Sequence, residues 1–598
     1  MICRSKSVLL CVIIALTLVI PLASRAQTAT NAEKEKEAAE RQELEKKTLA
    51  LLDEIASGAW GLKLPENRIY IMSSAADLLW AVDDKRARDL YWEALNSITS
   101  LNTSMPKTGE TVAKAERNKI AQTYFLILNL RQRLLRQVAR RDSQLALEML
   151  RASRQVPPRQ LGPENVFSQE RRLEQEIAGE VAAQDPAQAL QLARESLAKG
   201  LTLELVNLLQ QLQQRDSEKA SLFAGDMLTK LQTTNIATDF RASLIALYLV
   251  EGSRATETSE SHPGRPKPLI LTDDQKRQLV EILTNAALST SANSNLLFEI
   301  NEVMPEIEQY FPERRAALER KIAAFNDTLS KEQRDQNTQN TFIRRGMQED
   351  IIRFAVSADD RTQAHLYQQA AIIAVARGNT DAFREFLSKE VSDSGERRKI
   401  LDLLDAEEIS TAAGRKQIDH LRKLLPKIER KEERARAMAE LALLLKEKGE
   451  DAEASSLLDD AATLIKTNLK DERQTNALLS LLCAYAVIDP AKAFAIAERT
   501  VDQANSQISL LMLLDKVVKS GAVRKSEIIL DQAGILPLDI LVFKYGKGVA
   551  ALAKSDFNRT RALADRFDRG ELRLLAQLLI VRGLLQPQPS ELPFGVMQ

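Results

Sequence analysis

Cysteine, glycine, proline and aromatic residues are all scarce in this sequence, and each scarcity excludes something. There are three cysteines in 598 residues. Cys3 and Cys11 lie in an N-terminal segment that reads as removable, so Cys483 is left alone and an intramolecular disulfide framework is excluded. Glycine (21), proline (18) and aromatics (5%) are too few for a strand-rich protein, which needs turn glycines and β-branched and aromatic side chains. A surplus of one charge is also missing, since 83 Lys and Arg face 83 Asp and Glu. This argues against nucleic acid or an anionic membrane as partner, because both call for a basic face. What remains in abundance is Ala, Leu, Glu, Lys, Arg and Gln, the residues of long helices. The chain is also too long for one compact domain, so several domains or an extended array is expected.

The first 26 residues read as a cleavable signal peptide. Arg4 and Lys6 precede the apolar run "SVLLCVIIALTLVI" (7–20), Pro21 closes it, and Ser24 and Ala26 stand at the small-residue positions of a cleavage site. The run is short for a membrane span. Cys11 sits inside the apolar core and not at its end, which rules out a lipid-anchor reading. Removal of this segment takes Arg4, Lys6 and Arg25, leaving 80 basic against 83 acidic residues. No membrane insertion is expected afterwards. Residues 27–48 form a mixed-charge lead-in, a solvated helix or flexible stretch, because no apolar stripe begins before Leu44.

Beyond that point apolar residues recur at three- and four-residue spacing, and only "NRIYIMSS" (67–74) is ambiguous, with helical surroundings. Two stretches, "DPAQALQLA" (185–193) and "DPAKAFAIA" (489–497), share five identities. Asp suits the N-cap and Pro the first helical position. Ala189 with Ala193, and Ala493 with Ala497, then form shallow faces on which another helix can lie close. An apolar helical stretch stands immediately upstream in both cases. The same grammar, an acidic start with a small residue four later and apolar residues seven and eight later, begins at Asp83, Asp142, Asp216, Glu450 and Asp556. The expected fold is therefore all-α, an α-solenoid of antiparallel helix pairs with about twenty helices in two arms.

The piece "AMAELALLLKEKGEDAEASSLLDDA" (437–461) resembles a tetratricopeptide repeat, with Ala442, Ala454, Leu458 and Ala461 at its small, small, large and small positions. "YQQAAIIAVARGNTDAFREF" (367–386) matches in part through Ala370, Ala382 and Phe386. The early Trp and Tyr of that family are missing and the period drifts. The resemblance implies helix-pair architecture and a tendency to bind peptides or proteins. Proline-rich and polar breaks divide the chain into an N-terminal helical region with its tryptophans (49–153), helical repeats (154–250), a flexible linker (251–268), a C-terminal array (269–585) and a tail (586–598). A weaker polar break falls at 326–340.

No catalytic constellation, cofactor site or metal site emerges. The histidines His262, His365 and His420 have no second ligand at metal spacing. "YGKGVA" (545–550) reads as a close helix contact and not a phosphate loop. "KTG" (107–109), "SLAK" (196–199) and "SAN" (291–293) occur in the wrong order for a serine β-lactamase signature. Acidic residues read as caps or as solvated partners such as Glu432 with Arg436. Terminal "GVMQ" is too short an echo of lytic transglycosylases to use. All three tryptophans, Trp60, Trp80 and Trp92, fall in the first repeats. On the helix opening near Asp83 the core stripe is Ala87, Leu90, Tyr91, Ala94 and Ile98, and Trp92 points about 140° from Ala87. It either packs on a neighbouring pair, the commoner fate of tryptophan, or is an interaction anchor.

These features lead to an exported scaffold, periplasmic or extracellular, that binds an unknown protein or peptide without a cofactor. An envelope enzyme, or the helical accessory domain of one, acting on cell-wall polymer is the alternative. A structural spacer is the third.

Overall fold

A computed structural model describes residues 36–103, 114–153, 163–254, 269–290, 294–465, 472–518, 523–530 and 538–585, apart from 37, 183 and 357. Residues 1–26, His262 with most of 251–268, the "KTG" and "SAN" fragments and residues 586–598 lie outside them. The fold is all-α. Among the described residues, β structure is confined to Val523–Arg524 (β1) and Glu527–Ile528 (β2), an antiparallel pair with Val523 opposite Ile528. "NRIYIMSS" lies in the Pro65–Leu79 helix. The charged lead-in is helical from residue 38 and solvent-exposed up to Glu43. The polar break at 326–340 shrinks to Leu329 and Ser330. Ser330 and Gln333 close a reciprocal capping box that starts the next helix, Lys331–Arg345.

The acidic starts act as caps. Asp142, Asp185, Asp216 and Asp556 each accept from backbone N–H groups of the first turn at 2.9–3.1 Å. Asp83 and Asp489 do the same through Arg86 and Lys492. Glu450 makes no side-chain cap bond. Gly449 before it, at φ +85°, instead ends the preceding helix in the left-handed region. The small residues four positions on, Ala87, Ala146, Ala189, Ala220, Ala454, Ala493 and Thr560, are all buried. So are Ala442, Leu458 and Ala461 of the tetratricopeptide-like piece.

The chain divides into two compact units. One runs from Asp83 to Ala437. In it successive helices pack on the next and on the next but one. Lys114–Arg141 touches both Ser143–Ala152 and Pro163–Ala182, and the last touches both Pro186–Ala198 and Glu204–Arg215. The pattern returns farther on, where Asp360–Arg377 packs on Gln348–Ala355 and Ser394–Gly414 around Leu366, Tyr367, Ala370, Phe383, Leu387 and Leu404.

The other unit joins the segment up to Val82 with the segment from Met438. Glu472–Ile488, Leu538–Ser555 and Gly570–Leu585 pack in succession, and Pro65–Leu79 lies on Gly570–Leu585. The glycines of "YGKGVA" are contact points. A Cβ on Gly548 would stand 2.7 Å from both Cα and Sγ of Cys483, so only hydrogen fits there. Cys483 is accordingly a buried packing residue, and burial pushes its thiol up to about 12. The β1–β2 hairpin holds the two segments together. Glu527 accepts from the backbone N–H groups of Lys63 (2.6 Å) and Leu64 (3.0 Å) and from the Asn67 amide. These donors sit where the Pro65–Leu79 helix begins, so Glu527 caps it from more than 450 residues away. Asn67 returns the contact, donating to the Ile528 carbonyl and accepting from Leu530 N–H. Glu66 pairs with Arg524, and Asp77 with Arg582 at 3.3 Å.

Candidate functional site

Trp92 lies half-buried on the Asp84–Thr103 helix, while Ala87, Leu90, Tyr91, Ala94 and Ile98 form the buried stripe. Trp80 is also half-buried. Trp60 is exposed, with the Arg68 guanidinium 5.2 Å from its ring centre. Trp60 and Trp80 belong to one compact unit and Trp92 to the other. Ser196 of "SLAK" is buried and accepts from Gln175, so it is a packing hydroxyl. His365 is exposed. Arg436 pairs with Glu433 at 3.5 Å and not with the expected Glu432, because i,i+3 partners also share a helix face. No helix among the described residues is long and apolar enough to cross a membrane, and none of their His, Cys, Asp and Glu residues cluster as a metal site.

Three features stand out instead. The first is the distal part of the Pro490–Val518 helix. Its flank is tied to the body as far as Asn505, which bonds the Arg566 carbonyl and Asp568 N–H, while Asp502 pairs with Arg566. Ile508 and Met512 continue that inner side, half-buried. On the outer side Leu510, Leu513 and Leu514 are 57%, 59% and 51% exposed, with Leu511 beside them. The spacing is i, i+3, i+4, and no charged residue occurs from Gln503 to Leu514. The run "ISLLMLL" is visible in the sequence; its exposure is not, because an apolar run ordinarily signals core.

The second is a cleft of about 550 Å³ lined by Val250, Arg254, Asp273, Lys276, Glu306 and Tyr310. Arg254 forks onto Glu306 at 2.6 and 2.8 Å. The Tyr310 hydroxyl donates to Asp273 at 2.7 Å, which, with burial, pushes the phenol up to about 12. Both carboxylates are thus engaged by protein donors.

The third is a buried ionic cluster. Asp402, Asp405 and Glu408, three residues apart on the Ser394–Gly414 helix, are all buried. Arg384, from Thr380–Glu390, donates through Nη2 to both Asp405 and Glu408. Thr380 donates to Glu408 at 2.9 Å, and His420 Nε2 stands 3.0 Å from the same oxygen. Arg430 pairs with Asp402. The acidic recurrence at three-residue spacing is legible in "LDLLDAEE". The partners come from other elements, and the spacing alone reads as a solvated face.

No protein-family model matches the chain, and no curated protein matches its sequence.

Proposed function

We propose that this protein is an exported helical-array scaffold, and that the outer side of the Pro490–Val518 helix receives an amphipathic helix of a partner protein through an uncharged aliphatic stripe. The observation that carries this reading is the Leu510–Leu513–Leu514 row. Isolated exposed leucines need no explanation. Leucines at i, i+3 and i+4, with no charge over the preceding turns, have the pattern of a helix-pairing seam. The absence of charge selects an apolar face and offers a charged one nothing to pair with. Export rests on the pattern of residues 1–26, and N-terminal sequencing of protein recovered outside the cytoplasm should begin near Gln27. The binding reading is tested by photo-crosslinking from position 511 in cells, in the parent chain and in L510S/L513S. A discrete crosslink to a helical segment of another protein, lost in the double variant with helix content unchanged, is the expected result. A crosslink confined to this chain itself, or one that survives the double variant, would overturn it.

A further inference from the structure

The cluster around Arg384 has an unequal charge count. Asp405 and Glu408 are each 4% exposed and both receive the same nitrogen of one guanidinium. Arg430 is committed to Asp402 on the same helix, and Lys427 to Asp381 at the start of the Thr380–Glu390 helix. The Asp360–Arg377 helix also packs on Ser394–Gly414. Its Tyr367 faces Glu396 nearer the other end, and its Arg377 donates to Gln348. Two buried carboxylates thus share one cation. A buried charge without a counter-charge is costly, so the joint is balanced only when one more proton is bound.

We propose that this joint is an acid-tightened latch, in which a proton taken up by Asp405 leaves Arg384 paired one-to-one with Glu408 and draws the Thr380–Glu390, Ser394–Gly414 and Ile418–Leu424 helices together. Glu408 is the more fully engaged carboxylate, since Thr380, His420 and Arg384 all address it. Among the described residues Asp405 receives only Arg384, and it is the group that yields. Burial pushes its carboxyl up from 3.8 to about 6, with the neighbouring Glu408 and Asp402 adding to the rise and Arg384 opposing it. A carboxyl whose folded pKa is raised stabilises the closed joint most fully in acid, and that contribution is lost as pH rises through about 6. Between pH 7.5 and pH 5 the closed state should gain about tenfold over the open one. His420 sits half-exposed at the edge, with Nε2 3.0 Å from Glu408.

Hydrogen exchange of the full chain, read on peptides covering 394–424 and corrected for intrinsic rates, tests the latch. Protection there should rise about tenfold from pH 7.5 to pH 5 in the parent chain. In D405N it should be high at both pH values, because the neutral amide mimics the protonated acid. H420Q should keep most of the pH response. Protection that does not change with pH in the parent chain overturns the proposal, as does a response that persists in D405N or disappears in H420Q alone.

Discussion

A carboxylate at a helix N-terminus satisfies backbone N–H groups that have no intrahelical acceptor, and it faces the positive end of the helix dipole. Asp216 does this for the Ser217–Gln232 helix through Lys219 N–H at 3.0 Å, and its other oxygen receives the Lys219 ammonium. These contacts, the ammonium first, hold its carboxyl below its ordinary 3.8. Asp216→Ala should cost about 1 kcal/mol at neutral pH, measured by urea denaturation. A depressed folded pKa contributes stability above 3.8 and loses it as pH falls through the folded value. The cost should therefore fade in acid. The side chains of Asp142, Asp185 and Asp556 stand in the same relation to their helices, so this part of the molecule is written locally. Gly548 is the opposite case. Its glycine pair hints at a close approach, but that Cys483 is the residue approached is set by two helices more than sixty positions apart.

Among elements, the short β1–β2 hairpin matters out of proportion to its length. It presents Glu527 to the start of the Pro65–Leu79 helix, whose N-cap residue is Leu64 and supplies no side-chain oxygen of its own. The helix is thus completed by an acceptor from the far end of the chain. Glu527→Ala should leave the buried Leu64 N–H unsatisfied and take one acceptor each from Lys63 N–H and the Asn67 amide, at a cost of about 3 kcal/mol. Differential scanning calorimetry should place that loss in the unit containing residues 438–585. The Pro490–Val518 helix shows the reverse relation between pattern and packing. Its "ISLLMLL" run has the composition of a core segment, yet among the described residues Ile508 and Met512 are half-buried while Leu510, Leu513 and Leu514 are exposed. A sequence pattern states which residues are apolar and cannot state which neighbours arrive to cover them.

At the scale of the whole molecule, residues up to Val82 form one compact unit with residues from Met438 onward. Glu54 pairs with Arg561 at 2.5 Å, Gly58 lies against Leu574, and Asp77 meets Arg582. A chain lacking residues 27–82 should therefore expose the face of Gly570–Leu585 and lose protection from limited proteolysis within 538–585. Equal protease resistance in the truncated and complete chains would contradict this arrangement. A fully local array would lose only its first repeats on the same truncation.

The sequence by itself determined the helices, their starts and their buried faces, because caps and three-to-four periodicity act over a single turn and need no partner elsewhere. The six aspartate caps, the five buried alanines and Thr560 four residues after them and the Ala87–Ile98 stripe are of this kind. Glu450 shows how narrow that determination is, since one extra methylene and a preceding glycine replaced a cap bond with a left-handed turn. Tertiary structure decided the rest. It placed Arg384 between Asp405 and Glu408, carried Glu527 to the Pro65 helix, and set Leu510, Leu513 and Leu514 on an exposed side. Each depends on which helices meet across tens to hundreds of residues, a matter of chain-wide packing on which the local pattern is silent.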